Sequence, residues 1–157
     1  MHYVAKCPHD LAGSKMRLPA ARCSLPISKL RGVPARMRMA LKARRVTTCE
    51  QLLDLASRAG DRSLLARSIG TDADDLLDLV QQADMARISG IGTVFGMMLA
   101  ELGVRDVPAL AASDPVELHD RIRAYNQAER IARRSPTPEE VANWIDQARA
   151  LPQLVTY

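Results

Sequence analysis

The chain has 157 residues, 47% of them apolar, yet only Tyr3, Phe95, Tyr125, Trp144 and Tyr157 are aromatic. That length suits one domain or two small units sharing a core, its Leu, Val, Ile, Met and Ala interior favours helix over sheet, and no apolar run nears the roughly 20 residues of a membrane span. Net charge is +4 but lopsided: residues 1–49 hold eleven Lys/Arg and one acid, Asp10, while 50–157 hold eleven Lys/Arg against seventeen acids, which suits a basic end meeting a polyanion. The basic N-terminal stretch lacks the apolar segment of a secretion signal. Cys7, Cys23 and Cys49 are too few and too far apart for a disulfide framework, so a reducing cytoplasm is expected.

Residues 1–26, with Pro8, Pro19 and Pro26 and no sustained period, read as a flexible basic extension. Order begins at Ile27. Ile27, Leu30 and Val33 lead through Arg31-Gly32-Val33-Pro34 into a helix over 35–43 with Met37, Ala40 and Leu41 on one face. Thr47 or Thr48 caps a helix over 49–59 with Leu52, Leu53 and Leu55 inward and Gly60 as its stop. Asp61 caps a short helix carrying Leu64, Leu65 and Ile69, closed by Gly70. Thr71, followed by Asp72, Asp74 and Asp75, opens the next, with acids facing the positive end of the helix dipole; its apolar residues run from Leu76 to Ile88. Phe95, Met98, Leu99 and Leu102 stripe a helix over 93–102, which Gly103 ends. After a short turn of helix at 108–112, Ser113 with Asp114 and Pro115 starts a long helix to about Arg134. Thr137-Pro138-Glu139-Glu140 is a capping box for a last helix whose Val141, Trp144, Ile145 and Ala148 form one stripe; Trp144 is expected to anchor it. Every segment fits a helix and none alternates as a strand would.

The most informative feature is a gapless internal repeat with an offset of 58 residues. Leu30-Arg31-Gly32-Val33-Pro34 matches Ile88-Ser89-Gly90-Ile91-Gly92, and Met39, Leu41, Val46 and Leu52 meet Met97, Leu99, Val104 and Leu110. A weaker echo pairs Thr71-Asp72 to Leu76 with Ser113-Asp114 to Leu118. In each copy a glycine makes a bend tight enough to want positive φ, an apolar residue follows, and a helix starts at once. Such a start leaves amide N–H groups free where the dipole favours a phosphate.

This pattern resembles the helix-hairpin-helix motif, and the resemblance implies contact with a nucleic-acid backbone, largely without sequence preference. The segment Leu41 to Leu53 also looks like part of the related C-terminal domain of the bacterial RNA polymerase alpha subunit. From about Ile27 to Pro152 the layout is similar to a bacterial family catalogued only as domain of unknown function 4332, which brings a fold and no established activity. The expected architecture is therefore all-α and SAM/helix-hairpin-helix-like. A first repeat spans 27–70, a second 71–134, and a C-terminal helix and tail 135–157.

The two copies are unequal. The first carries the cations: Arg38, Lys42 and Arg45 stack on one helix face, with Arg31 and Arg36 near the bend at Gly32 and Val33. Its Pro34 removes an amide donor, and Arg45 stands where the second copy has Gly103, which argues against a glycine-type helix stop there. The second copy has the better cradle, Gly90-Ile91-Gly92, assisted by Ser89, Thr93 and Arg87. These residues compose the expected site of a non-enzymatic, non-sequence-specific module for nucleic acid, DNA before RNA. The alternative is a protein-interaction or scaffold module, for which Met39 and Met97, off the main stripes, are the candidate contacts. No catalytic constellation, cofactor or metal site is expected: His2, His9 and His119 are far apart, and Cys7-Pro8-His9 with Cys23 lacks paired ligand spacing.

Overall fold

The computed structural model describes residues 25–157. The extension expected over 1–26, with Cys7, His9 and Cys23, thus lies outside the described residues except for Leu25 and Pro26. After a 3-10 turn at Ile27–Lys29 come α1 (Ala35–Ala43), α2 (Cys49–Ala56), α3 (Ala59–Ile69), α4 (Ala73–Met85), α5 (Gly92–Glu101), α6 (Val107–Ala111), α7 (Pro115–Glu129) and α8 (Pro138–Ala150). Among the described residues there is no strand, only an isolated bridge between Pro26 and Thr48. The described part is all-α, and none of its helices is long and apolar enough to cross a membrane.

Local chemistry sets the helix starts. Thr48 caps α2 through a reciprocal box with Gln51, and Thr137 caps α8 in the same way with Glu140. At α4 and α7 the cap is the aspartate, Asp72 or Asp114, one residue beyond the expected hydroxyl. The Ser113 hydroxyl is already engaged, donating to the Ala109 carbonyl (2.9 Å). Helix α2 stops at Ala56, and Gly60 lies inside α3. The reason is Arg62, whose guanidinium donates to the Ala56 and Ser57 carbonyls at 3.2 and 3.1 Å and so satisfies the end of α2. Leu55, expected inward, is exposed, as is Leu64, and Asp61, expected to cap α3, lies in its first turn instead.

Two apolar cores organise the chain. The first gathers Leu41, Val46, Leu52, Ala56, Leu76 and Val80, among others, around α1 to α4. The second gathers Ile91, Leu99, Val104, Leu110, Trp144 and Ile145, among others, around α5 to α8. Helix α4, grouped with the second repeat in the sequence reading, packs on the first core. Its counterpart is α8, at an offset of 65 residues: Asp72 and Thr137 cap, Leu76 and Val141, Leu79 and Trp144, Val80 and Ile145, and Ala83 and Ala148 are all buried in pairs. The echo between Thr71-Asp72 and Ser113-Asp114 is therefore a shared start signal, not a shared position. The buried stripe on α8 is as expected. Trp144, 1% exposed, packs against Phe95 with ring centroids 5.5 Å apart, the burial of a docking anchor.

Candidate nucleic-acid interface

Both bends need glycine, for somewhat different reasons. Gly32 has φ +67° and Gly90 φ +94°, with Gly92 at +69°, a region costly to residues with a Cβ. A Cβ at Gly32 would meet open space, whereas one at Gly90 would lie 3.2 Å from Trp144 Nε1. Val33 is half-buried against the first core and Ile91 is buried in the second, so each bend is followed by an apolar residue turned inward. Helix α1 then begins from Pro34, and α5 from Ile91. Their first amides lack intrahelical acceptors, as at any helix start.

A device absent from the sequence reading holds each bend. The Arg31 amide donates to Gln82 Oε1 (2.9 Å) while Gln82 Nε2 donates back to the Arg31 carbonyl (3.0 Å). In the second copy Ser89 and Gln147 exchange the same two bonds, at 2.9 and 3.1 Å. Arg31 and Ser89 are 58 apart, Gln82 and Gln147 are 65 apart, and each glutamine sits on the last helix of its own core. The signal was present: Leu79-Val80-Gln81-Gln82-Ala83 and Trp144-Ile145-Asp146-Gln147-Ala148 share an apolar pair, a spacer, Gln and Ala.

The far ends of α1 and α5 also correspond. Arg45 has φ +63° and Gly103 φ +91°. The amides of Val46 and Val104 reach the Leu41 and Leu99 carbonyls at 2.9 and 2.8 Å. The helix stop expected to fail at Arg45 is thus made there by an arginine in the left-handed region, held by the bonds that Gly103 makes without strain.

The two bends line one cleft of about 530 Å³, walled by Leu30, Arg31 and Gly32 on one side and Ser89, Gly90 and Gly92 on the other, with α4 behind. Its charges are mixed: Lys29, Arg31 and Arg105 are set against Asp78 and Glu101. Thr93 is exposed on its wall. Arg38 and Lys42 are exposed on α1, whereas Arg45, expected on the same helical face, is exposed beyond the helix end in the left-handed region; none of the three lines the cleft. Arg36, also exposed, points its guanidinium toward Gly70, and Arg44 donates to the Ser68 carbonyl (3.4 Å); both lean on the negative end of α3. Among the described residues none of Arg31, Arg36, Arg38, Lys42 and Arg45 pairs with a carboxylate.

Arg87 is a correction. Its side chain is fully buried, with Nη1 on Asp84 (2.6 Å) and Nη2 on the Pro152 carbonyl (3.1 Å), so it has no arm to offer a phosphate. Burial pushes the Asp84 carboxyl above its usual range, and the bond and charge of Arg87 pull it back. Among the described residues no cluster of three His, Cys, Asp or Glu gathers as metal ligands.

Comparison with curated proteins and with solved structures finds no match. A family model described as Domain of unknown function (DUF4332) matches residues 31–151, a span that takes in both bends and the helices α1 to α8. The chain belongs to that family.

Proposed function

We propose that the chain is a tandem helix-hairpin-helix protein that binds the backbone of nucleic acid, DNA before RNA, without sequence preference and without catalysis, in a bacterial cytoplasm. The observation that carries this reading is the meeting of two glycine bends in one cleft, each opening a helix whose free amides and dipole suit a phosphate. The exposed cations of α1 extend the same chemistry outward. Their role is sequence-blind attraction to phosphates.

If Arg31, Arg36, Arg38, Lys42 and Arg45 neutralise about five phosphates, log Kd against log salt on duplex DNA has a slope of about 4 to 5. Fluorescence anisotropy at several salt concentrations measures it. The triple variant R38A/K42A/R45A reduces that slope by about 3 and lowers affinity uniformly across sequences. No detectable binding at low salt removes the reading.

One observation favours a second reading, a protein-interaction or scaffold module. Met39 is 68% exposed on α1, and Leu64 on α3 is 62% exposed; an adaptable thioether outside the core suits protein contact. Sedimentation velocity discriminates: self-association lost on Met39→Glu, with no salt-dependent DNA binding, establishes this alternative.

A further inference from the structure

Residues 151–157 leave α8, an element of the second core, and end in the first. Val155 is 2% exposed within the first core. The Thr156 amide donates to the Ser57 carbonyl (2.9 Å), its hydroxyl accepts from the Ala59 amide (3.1 Å), and its carbonyl accepts from Arg62 (2.8 Å). At the other end of the segment, the Pro152 carbonyl accepts from Arg87. Two buried arginines therefore each place a guanidinium arm on a carbonyl of this short stretch. Between them lies the junction of the two cores, where direct helix packing is confined mainly to α4 against α6. Units joined by a limited interface move relative to one another unless something else ties them.

The tie reaches the cleft. The Tyr157 hydroxyl donates to Asp106 Oδ2 (2.8 Å) and accepts from Gln81 Nε2 (3.4 Å). Gln81 lines the cleft from α4, and Asp106 follows Arg105, which lines it from the second unit. One phenol thus links α4, at the back of the cleft, to the loop that leads into α6 of the second unit. Among the described residues the other side-chain link between α4 and that loop is the loose, exposed pair Arg105–Asp78 at 3.9 Å, weak in water.

We infer that residues 151–157 form a latch that holds the two helical units in one orientation and sets the width of the cleft between the bends. Seating Val155 closes it, and withdrawing the segment frees the walls. This deepens the proposed function, since two bends act on one backbone only at a fixed spacing. It does not depend on that function for its test, which reads orientation and needs no nucleic acid.

The test places spin labels on exposed sites of the two units, Ser63→Cys on α3 and Gln127→Cys on α7, in the full chain with Cys7 and Cys23 changed to Ser. Cys49 is 0% exposed and stays. Electron–electron distance measurement is expected to give a narrow distribution for the latched protein. It is expected to widen at least twofold on Val155→Asp, with helical content retained. Thr156→Ala with Tyr157→Phe removes the hydroxyl hydrogen bonds of two exposed residues, leaves Val155 in place and is expected to widen it less. Unchanged distributions in both variants overturn the latch. So does loss of all helix on Val155→Asp in one transition while the milder variant stays narrow, since the segment is then simply part of one core. A latch confirmed without DNA binding leaves this inference standing and removes the proposed function.

Discussion

Alanine at the two bend glycines separates backbone strain from packing. Both positions have positive φ, and a Cβ there costs about 1–2 kcal/mol. At Gly32 that is the whole cost, because beyond its chain neighbours no atom lies within 4 Å of the new carbon. At Gly90 the carbon falls 3.2 Å from Trp144 Nε1. The ring is 1% exposed and packed against Phe95, so it cannot swing away. Overpacking of this kind adds about 1–3 kcal/mol. Gly32→Ala is therefore expected to cost about 1–2 kcal/mol and Gly90→Ala about 2–5 kcal/mol. At about 2–4 °C per kcal/mol for a chain of this size, the second loss shows plainly in urea and thermal unfolding followed by circular dichroism. A double-mutant cycle isolates the cause: in a Trp144→Phe background, Gly90→Ala should lose its excess over Gly32→Ala. Equal losses at the two glycines, or no coupling between positions 90 and 144, would falsify the assignment of Gly90 to a close approach.

Other consequences follow from particular bonds. Arg45→Gly relieves an arginine at φ +63° and is expected to stabilise the fold by about 0.5–1 kcal/mol, while weakening DNA binding, so stability and affinity move in opposite directions. Gln82→Ala strands the half-buried amide and carbonyl of Arg31 and is expected to cost about 1–2 kcal/mol; Gln147→Ala, at a more exposed bend, costs less, and hydrogen exchange at Arg31 and Ser89 should accelerate in the respective variants. The bond from Arg134, with the Thr137 amide, holds the Glu140 carboxyl down at about 2. Because its folded pKa is depressed, its stabilising contribution is full above the ordinary carboxylate range and is lost as pH falls from there toward 2. Thermal midpoints between pH 5 and 2 should fall less steeply in Glu140→Gln, which keeps a capping side chain but not the charge.

Local signals carried far in this sequence because they act within one turn of chain. The box at Thr137 and Glu140, the stripe from Val141 to Ala148 and the αL stop at Gly70 each follow from residues a few positions apart. What was illegible came from elements remote in sequence. Helix α2 ends early because Arg62, on the next helix, satisfies its carbonyls. Leu55 and Leu64 face solvent because periodicity fixes the width of an apolar face but not which neighbour covers it. Helix α4 packs on the first core and not, as the sequence suggests, on the second, for a geometric reason. Helix α7 has fifteen residues against eleven in α3, and eight residues connect it to α8 where three connect α3 to α4, so the last helices of the two units match only at an offset of 65 and not 58.

The candidate site divides along the same line. Glycines at bends are readable, since few other residues tolerate their φ, and so is a cationic stripe at helical spacing. The fate of a charged side chain is not: Arg87 sits one residue from the second bend's Ser89-flanked turn, yet its arm turns inward to Asp84 and the Pro152 carbonyl. A buried arginine is stable only where acceptors already wait for it, and one of those acceptors arrives 65 residues later. The glutamine clamps obey the same logic, because each joins a bend to a helix that the chain reaches only after three others. Bend and clamp occur together in both units, and the two clamped turns line one cleft.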